Sequence, residues 1–270
     1  LHLGHAYSAL VAAERAKTRD GHFLLRIEDT DHQRSRPEWE AQIYTDLTWL
    51  GLTWETPVRR QSDHLADYAD ILEQLADRAL LYPCACSRAD IRGALSAPQE
   101  GAPMHGPDGL IYPGTCRHRS IRDRQPGDAL RLNMAKAVEV LGAATLHFTE
   151  TGPTYEGVHS FAPGRLVETV GDVVLARKET EAAAYHLAVV LDDAFQGITE
   201  VVRGEDLYEA TPLHVFLQHL LGVPVPLYHH HRLIRDAQGK RLAKRSDAEA
   251  LSALRKVGCS PEGIRARIGL

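Results

Sequence analysis

Two short motifs at opposite ends of the chain constrain its fold more than any other feature. His2-Leu3-Gly4-His5 opens the sequence, and Arg241-Leu242-Ala243-Lys244-Arg245 lies close to its end. They can act together only if the intervening chain folds back and brings them over one ligand. A His-x-Gly-His at a helix start sets two imidazoles beside the positive end of the helix, which attracts phosphate. Gly4 lacks a Cβ and lets a nucleotide base approach the backbone. A loop carrying Lys244 would neutralise charge on a departing pyrophosphate. Alone, the quartet is weak, because two histidines near a helix start are also ordinary structure.

The pattern between the motifs reads as an α/β protein. Residues from about 5 to 18 form a helix, with Ala6, Leu10, Ala13 and Lys17 spaced in threes and fours. Asp20-Gly21 ends it, and a strand follows over Phe23–Ile27. Pro37 starts a second helix with Trp39, Ile43, Leu47 and Leu50 on its apolar face. A third is expected from Asp63 to Leu80, with Leu65, Tyr68, Leu72 and Leu75 on one face. From Leu81 to Ala183 the pattern changes to a Gly/Pro-rich stretch and short strand-like runs at Ala129–Leu132, Thr145–Phe148 and Asp172–Arg177. Val201-Val202 reads as a buried strand delivering Arg203, and Thr211–Leu221 as a helix between Pro212 and Gly222. Alternation of this kind implies a Rossmann-type parallel sheet flanked by helices. Its ligands would sit beyond the carboxyl ends of the strands.

Three further blocks sharpen the reading. Arg26-Ile27-Glu28-Asp29-Thr30-Asp31 is a charged cluster at a strand end. Tyr185-His186-Leu187 leads into Ala188-Val189-Val190-Leu191-Asp192-Asp193, and Gly197 to Asp206 contains Val201-Val202-Arg203-Gly204-Glu205-Asp206. In this order and spacing they resemble the glutamyl-tRNA synthetase group of class I aminoacyl-tRNA synthetases over nearly the whole chain. The two terminal motifs then match the family's HIGH and KMSKS signatures. Arg241 stands for the first lysine of the latter and Ala243 for its serine, so charge is kept and a hydroxyl is lost.

The resemblance implies that His2, Gly4, His5, Arg241 and Lys244 bind ATP with its Mg²⁺, and that His2, His5 and Lys244 are the catalytic groups. Glutamate would be held by Glu28, Tyr185 and Arg203. Chemically that set is apt: an arginine fork suits a side-chain carboxylate, a carboxylate suits the ammonium, and a phenol adds a hydroxyl. The chain stops soon after the lysine loop, with nothing resembling the family's large anticodon-binding region. The resemblance is therefore to the truncated branch of the family, which activates glutamate without tRNA and places it on queuosine, the wobble base of tRNA(Asp). The implied partners are ATP, L-glutamate and the anticodon stem-loop of tRNA(Asp).

The net charge of −5 argues against a protein that grips long nucleic acid by its backbone. It suits an enzyme touching part of a tRNA through a local patch. Cys116 to Arg124 is one candidate, and Arg255, Lys256, Arg265 and Arg267 are another. No apolar run approaches the ~18 residues a membrane helix needs, no secretory signal is visible, and the cytoplasm is the expected location of what reads as a monomer.

Cys84-x-Cys86 and Cys116, the last in Tyr112-x-x-x-Cys116, form a candidate structural zinc site that needs a fourth ligand. Chemistry alone nominates His118 or His105, whereas the resemblance points to Tyr112. With all four positions filled, the metal would staple and not catalyse. Cys259 is remote. Consecutive His229-His230-His231 alternate faces in a strand and are poor joint ligands, so contact with ATP is the expected role.

The expected division is 1–80 for the first half of the catalytic domain, 81–183 for an inserted zinc-containing α+β subdomain, and 184–235 for the second half. Residues 236–270 would hold the lysine loop and a short C-terminal helical segment. The chain begins at Leu1 without methionine. In the family a strand bearing an arginine and a serine precedes HIGH, so a trimmed sequence is the expectation. Rival readings are a fragment of an ordinary glutamyl- or glutaminyl-tRNA synthetase, a cytidylyltransferase-type nucleotidyltransferase, and an inactive zinc-stapled RNA-binding module.

Overall fold

A computed structural model describes residues 1–30, 35–95, 105–178, 182–235, 239 and 250–270. The chain begins with α1 (Leu3–Thr18), β1 (Arg26–Ile27), α2 (Pro37–Trp49), β2 (Arg59–Arg60) and α3 (Leu65–Asp77). Next come β3 (Leu81–Cys84), α4 (Arg88–Leu95), β4 (His105–Gly106), β5 (Gly109–Leu110), β6 (Ala129–Leu132) and α5 (Met134–Leu141). Then follow β7 (Leu146–Glu150), β8 (Gly157–Phe161), α6 (Leu166–Thr169), β9 (Val174–Ala176) and α7 (Tyr185–Phe195). The last elements are β10 (Glu200–Gly204), α8 (Thr211–Leu221), β11 (Leu227–His231), α9 (Leu251–Lys256) and α10 (Pro261–Ile268).

Local chemistry fixes several of these bounds. Arg15 and Lys17 lie in the last turn of α1, where the dipole favours cations. Asp20 then takes a left-handed φ of +50° and turns the chain. Pro37 opens α2 as expected. Trp39 departs from its expected place on the apolar face: it is 54% exposed in the first turn and lies beneath Arg36. Leu47 and Leu50 form the buried stripe instead. The third helix is shorter than expected. Gln61–His64 is a 3₁₀ turn, and Ala79 at φ +55° ends the segment before Leu80. Pro212 and the left-handed Gly222 (φ +68°) bound α8 where the sequence places them.

The parallel sheet is present but divided. β10, β11 and β7 run parallel, and β8 closes the edge antiparallel to β7. β1 pairs in parallel with β2 alone. Only Arg26 and Ile27 of the expected strand Phe23–Ile27 acquire strand pairing, because β2 offers just two partners. Residues 81–183 also split. β3, β6 and β9 form an antiparallel sheet of their own, whereas β7 and β8 join the sheet of the second half. One face of the antiparallel sheet shares the main core, where Leu81, Leu132 and Leu175 pack with Leu75 of α3, Leu187 of α7 and Phe216 of α8, while Tyr82, Cys84 and Ala129 form a small separate cluster with Tyr112 and Cys116. A second core joins Ala6 and Leu10 of α1 to Leu47 and Leu50 and to Leu251, Leu254, Ile264 and Ile268 at the C-terminus. The C-terminal helices are thus docked on the helix that starts with the first motif.

Asp192 of α7 has no exposure to solvent and binds these layers together. It accepts from Arg59 Nε at 2.7 Å, Gln61 Nε2 at 2.9 Å and the Tyr68 hydroxyl at 2.8 Å. Replacing it would strand the buried Arg59 guanidinium without its counter-charge. Asp192→Ala should lower the unfolding free energy by about 3–5 kcal/mol in urea titrations, the usual cost of breaking one side of a buried pair. A loss well under about 1 kcal/mol would mean that the guanidinium finds water instead.

Candidate active site

His2 is the N-cap of α1, and its ring folds back over the helix. The Gly4 N–H donates to His2 Nδ1 at 3.0 Å, while the His2 N–H donates to His5 Nδ1 at 3.2 Å. This reciprocal arrangement is a capping box built from two imidazoles. With both Nδ1 atoms accepting, a neutral ring carries its proton on Nε2. The rings lie 3.7 Å apart between centroids. Gly4 has a role that the sequence did not reveal: a Cβ there would meet His2 Cε1 at 2.9 Å. Its absence gives the capping imidazole its place.

Arg241 and Lys244 lie outside the described residues, but both ends of their segment are fixed. Ala250 forms an antiparallel bridge with His2, and the Leu251 N–H donates to the Leu1 carbonyl at 2.9 Å. At the other end Ile234 joins the α1 core, the Arg232 guanidinium lies 4.7 Å over the Tyr7 ring, and His231 meets the same ring edge-on. Ile234 and Ala250 thus both lie against α1 or its N-cap.

The three expected glutamate residues come from β1, α7 and β10. Glu28 follows β1 directly and remains 43% exposed, with Arg26 at 3.4 Å. Arg26 is held more closely by Asp193, at 2.8 Å. Tyr185 opens α7; burial pushes its hydroxyl pKa up, opposed by the positive charge of Arg203 and reinforced by the carboxylate of Glu28. Arg203 is only 8% exposed. Its donors meet His230 Nε2 at 3.0 Å, His214 Nδ1 at 2.8 Å, Thr211 Oγ1 at 2.8 Å and the Leu207 carbonyl at 3.3 Å. Much of the expected fork is thereby committed to the protein. Among the described residues no carboxylate lies within ion-pair distance of Arg203, so this buried cation calls for an anion.

The sulfurs of Cys84, Cys86 and Cys116 lie within 4.8 Å of one another and could hold a metal ion. The Tyr112 hydroxyl sits among them, 3.4 Å from Cys84 and from Cys86, and accepts from the Cys116 N–H at 2.9 Å. A tetrahedral ion would hold sulfurs roughly 3.8 Å apart, and Cys86 and Cys116 stand at 3.5 Å. Burial pushes the Cys86 thiol up to about 11. It would also raise Cys116, but bonds from Tyr112 and the Ala85 backbone bring that thiol to about 7. His118 and His105 are exposed and stand outside the cluster.

Several polar groups take places that the sequence did not indicate. His229, His230 and His231 are all buried, and they engage Thr151, Glu150 and the Arg232 carbonyl respectively. In the first basic patch, Arg117 bonds Asp172 and Arg119 bonds Asp128, so both brace the cysteine-bearing segment. A groove of about 730 Å³ lies between Phe23–Arg26 and Glu200–Val202, walled by Ala12 and Ala16 of α1. It explains why Val201 and Val202, expected to be buried, are only half-buried. The buried chain His186–His214–Arg203 was also invisible, because its members lie far apart in sequence. No described helix is long and apolar enough to cross a membrane.

Comparison with known proteins gives a consistent result. The profile of the tRNA synthetases class I (E and Q) catalytic domain matches residues 1–270. A glutamyl-Q tRNA(Asp) synthetase of Rhodobacter capsulatus is 57% identical over 270 residues, covering 100% of this chain and 96% of that protein. One of Symbiobacterium thermophilum is 39% identical, covering 98% of this chain and 80% of that protein. The crystal structure of a glutamate tRNA ligase from Elizabethkingia meningosepticum in complex with its amino acid superposes with a TM-score of 0.68 at 25% identity. The glutamate-tRNA synthetase of Elizabethkingia anophelis gives 0.69 at 25% identity. Each structure matches 96% of this chain, which spans only about half of their length, 51% and 52%.

The buried histidines make stability depend on pH. Burial holds His214, His229, His230 and His231 below the ordinary histidine pKa, and the Arg203 charge pushes His214 further down. Unfolded, each imidazole takes up a proton near pH 6.5. The unfolded state then binds more protons than the folded one, so stability falls as the pH drops below about 6.5. Thermal melts between about pH 7.5 and 5.5 should show a steadily falling Tm. A flat profile would mean that these rings are charged in the folded protein.

Proposed function

The chain belongs to the class I tRNA synthetases of the E and Q type, and we propose that it activates glutamate with ATP and passes the glutamyl group to queuosine in tRNA(Asp). The full-length likeness to glutamyl-Q tRNA(Asp) synthetases supports the substrates. The geometric observation that supports the activation step is the bridge between His2, in the double-imidazole cap of α1, and Ala250.

In the first step the glutamate α-carboxylate attacks the α-phosphorus of ATP, and pyrophosphate leaves. The Nε2–H groups of His2 and His5 would donate to phosphate oxygens, and Gly4 keeps the cap in place. Lys244 and Arg241 would neutralise the departing pyrophosphate, alongside the Mg²⁺ that accompanies ATP. Little covalent help is needed, because positioning and charge neutralisation carry most of nucleotidyl transfer. Glutamate would present its side-chain carboxylate to Arg203, its ammonium to Glu28, and a further oxygen to Tyr185. In the second step a queuosine hydroxyl attacks the acyl carbon and releases AMP. Zinc would occupy the site of Cys84, Cys86, Tyr112 and Cys116 and hold the segment between β3 and β6. The exposed Lys256 and Arg267, with Arg255 and Arg265 beside them, offer a basic surface for the anticodon stem-loop.

Glutamate-dependent ATP–pyrophosphate exchange tests the reading. It should proceed without tRNA, and labelled glutamate should then reach tRNA(Asp) only when that tRNA carries queuosine. Exchange that requires tRNA would point instead to an ordinary glutamyl-tRNA synthetase activity. Lys244→Ala should slow exchange by a factor of roughly 100 or more; a near-normal rate would remove Lys244 from the leaving-group role. Elemental analysis should give one zinc per chain, reduced in Cys84→Ser, and chelation should lower the Tm while any surviving molecules keep their KM for ATP. Full metal content in Cys84→Ser would exclude that thiol as a ligand.

A further inference from the structure

Arg203 stands at the centre of a continuous hydrogen-bonded chain that ends in a carboxylate on each side. On one side its Nε donates to His230 Nε2 at 3.0 Å, and His230 Nδ1 faces Glu150 Oε2 at 2.5 Å. On the other, Nη1 donates to His214 Nδ1 at 2.8 Å, His214 Nε2 faces His186 Nδ1 at 2.8 Å, and His186 Nε2 faces Asp108 Oδ1 at 2.9 Å. Arginine can only donate, which settles the direction of every link. His214 Nδ1 accepts, so its proton lies on Nε2 and is given to His186. The His186 proton then lies on its own Nε2 and is given to Asp108. By the same logic His230 accepts at Nε2 and donates from Nδ1 to Glu150. Burial supports the neutral form of His214.

The members are buried except at one end. Glu150, His230, His214 and His186 are 1%, 0%, 2% and 5% exposed, whereas the Asp108 side chain is 59% exposed. Asp108 sits in the turn between β4 and β5, within the segment bounded by Cys86 and Tyr112. A neutral imidazole whose far nitrogen donates to a carboxylate becomes a better acceptor at its near nitrogen and loses its freedom to rotate. Two such rings in series link an exposed aspartate to the buried guanidinium, and a single ring links the same guanidinium to the buried Glu150.

We propose that Asp108 and Glu150 are positioning residues for Arg203, acting through His186–His214 and through His230, so that the metal-bearing segment sets the affinity of the enzyme for glutamate. The proposal rests on the reading of Arg203 as the residue that meets the glutamate carboxylate. Glutamate then meets a guanidinium already held in one plane by these bonds.

Asp108 is the member to test, because its side chain is the exposed end of the chain. In glutamate-dependent ATP–pyrophosphate exchange with the full chain, Asp108→Asn should raise KM for glutamate by roughly 2–30-fold, the range expected for couplings through such networks. The kcat, KM for ATP and metal content should stay at their wild-type values, and Asp108→Glu should restore most of the glutamate affinity. Arg203→Lys should raise the same KM, and adding Asp108→Asn to it should have little further effect. If Arg203→Lys raises KM for glutamate and Asp108→Asn does not, the relay is overturned while the glutamate site stands. The relay is equally overturned if the two effects multiply in the double variant, or if Asp108→Asn loses metal. No effect from Arg203→Lys overturns the glutamate-site reading and the relay with it.

Discussion

The carboxylate of Asp192 is the interaction on which the rest of the structure depends. It lies at the junction of β2, the turn after it, α3 and α7, and it draws donors from the first three. A charge with no solvent exposure is tolerable only when its lone pairs are fully used. Once they are, α7 has a single register relative to the first half of the fold. Its first residue is Tyr185 and its second is His186. The residue after Asp192 pins Arg26 and so places the end of β1, where Glu28 stands. Two of the three candidate glutamate residues, Glu28 and Tyr185, thus stand on elements tied together by Asp192 and its neighbour Asp193.

The site itself is built at a cost to stability. A guanidinium, three imidazoles and a carboxylate are buried together around Arg203, where apolar residues of the same volume would fold as well or better. Such networks specify one arrangement when every member is satisfied. Here the satisfaction is directional, since each histidine accepts on one nitrogen and donates from the other. The consequence is a cation whose orientation is set before any ligand arrives, which reduces the ordering that binding must supply.

The candidate nucleotide site follows a different principle. His2 and His5 cap each other across the first turn of α1, and Gly4 is small because His2 needs its space. The C-terminal helices share a core with α1, and the chain between Ile234 and Ala250 begins and ends on that surface. Packing of Leu251, Leu254, Ile264 and Ile268 therefore does more than close the protein. It brings a segment from the far end of the sequence back to the residues at its start.

Much of this was legible in the residues. Pro37 and Pro212 mark true helix starts, Gly222 a true helix end, and the apolar stripe Tyr68, Leu72 and Leu75 is buried as its spacing demands. The cysteine pair and Cys116 converge around the hydroxyl of Tyr112, the candidate that family resemblance nominated and bare coordination chemistry did not. These features are local, or depend on side-chain chemistry that a sequence displays. What the sequence left open is non-local. Strand pairing limits β1 to two residues, sends β7 and β8 to the sheet of the second half, and leaves Val201 and Val202 half-buried beside a groove. Trp39 is exposed although its periodicity called for burial. The histidine triplet resembles a ligand run and proves to be buried polar structure, because Glu150 and Thr151 come from a neighbouring strand end. Sequence fixed which residues could do the chemistry. Only the tertiary structure decided which of them meet, since hydrogen bonds between Asp108, His186, His214 and Arg203 depend on distances that no periodicity encodes.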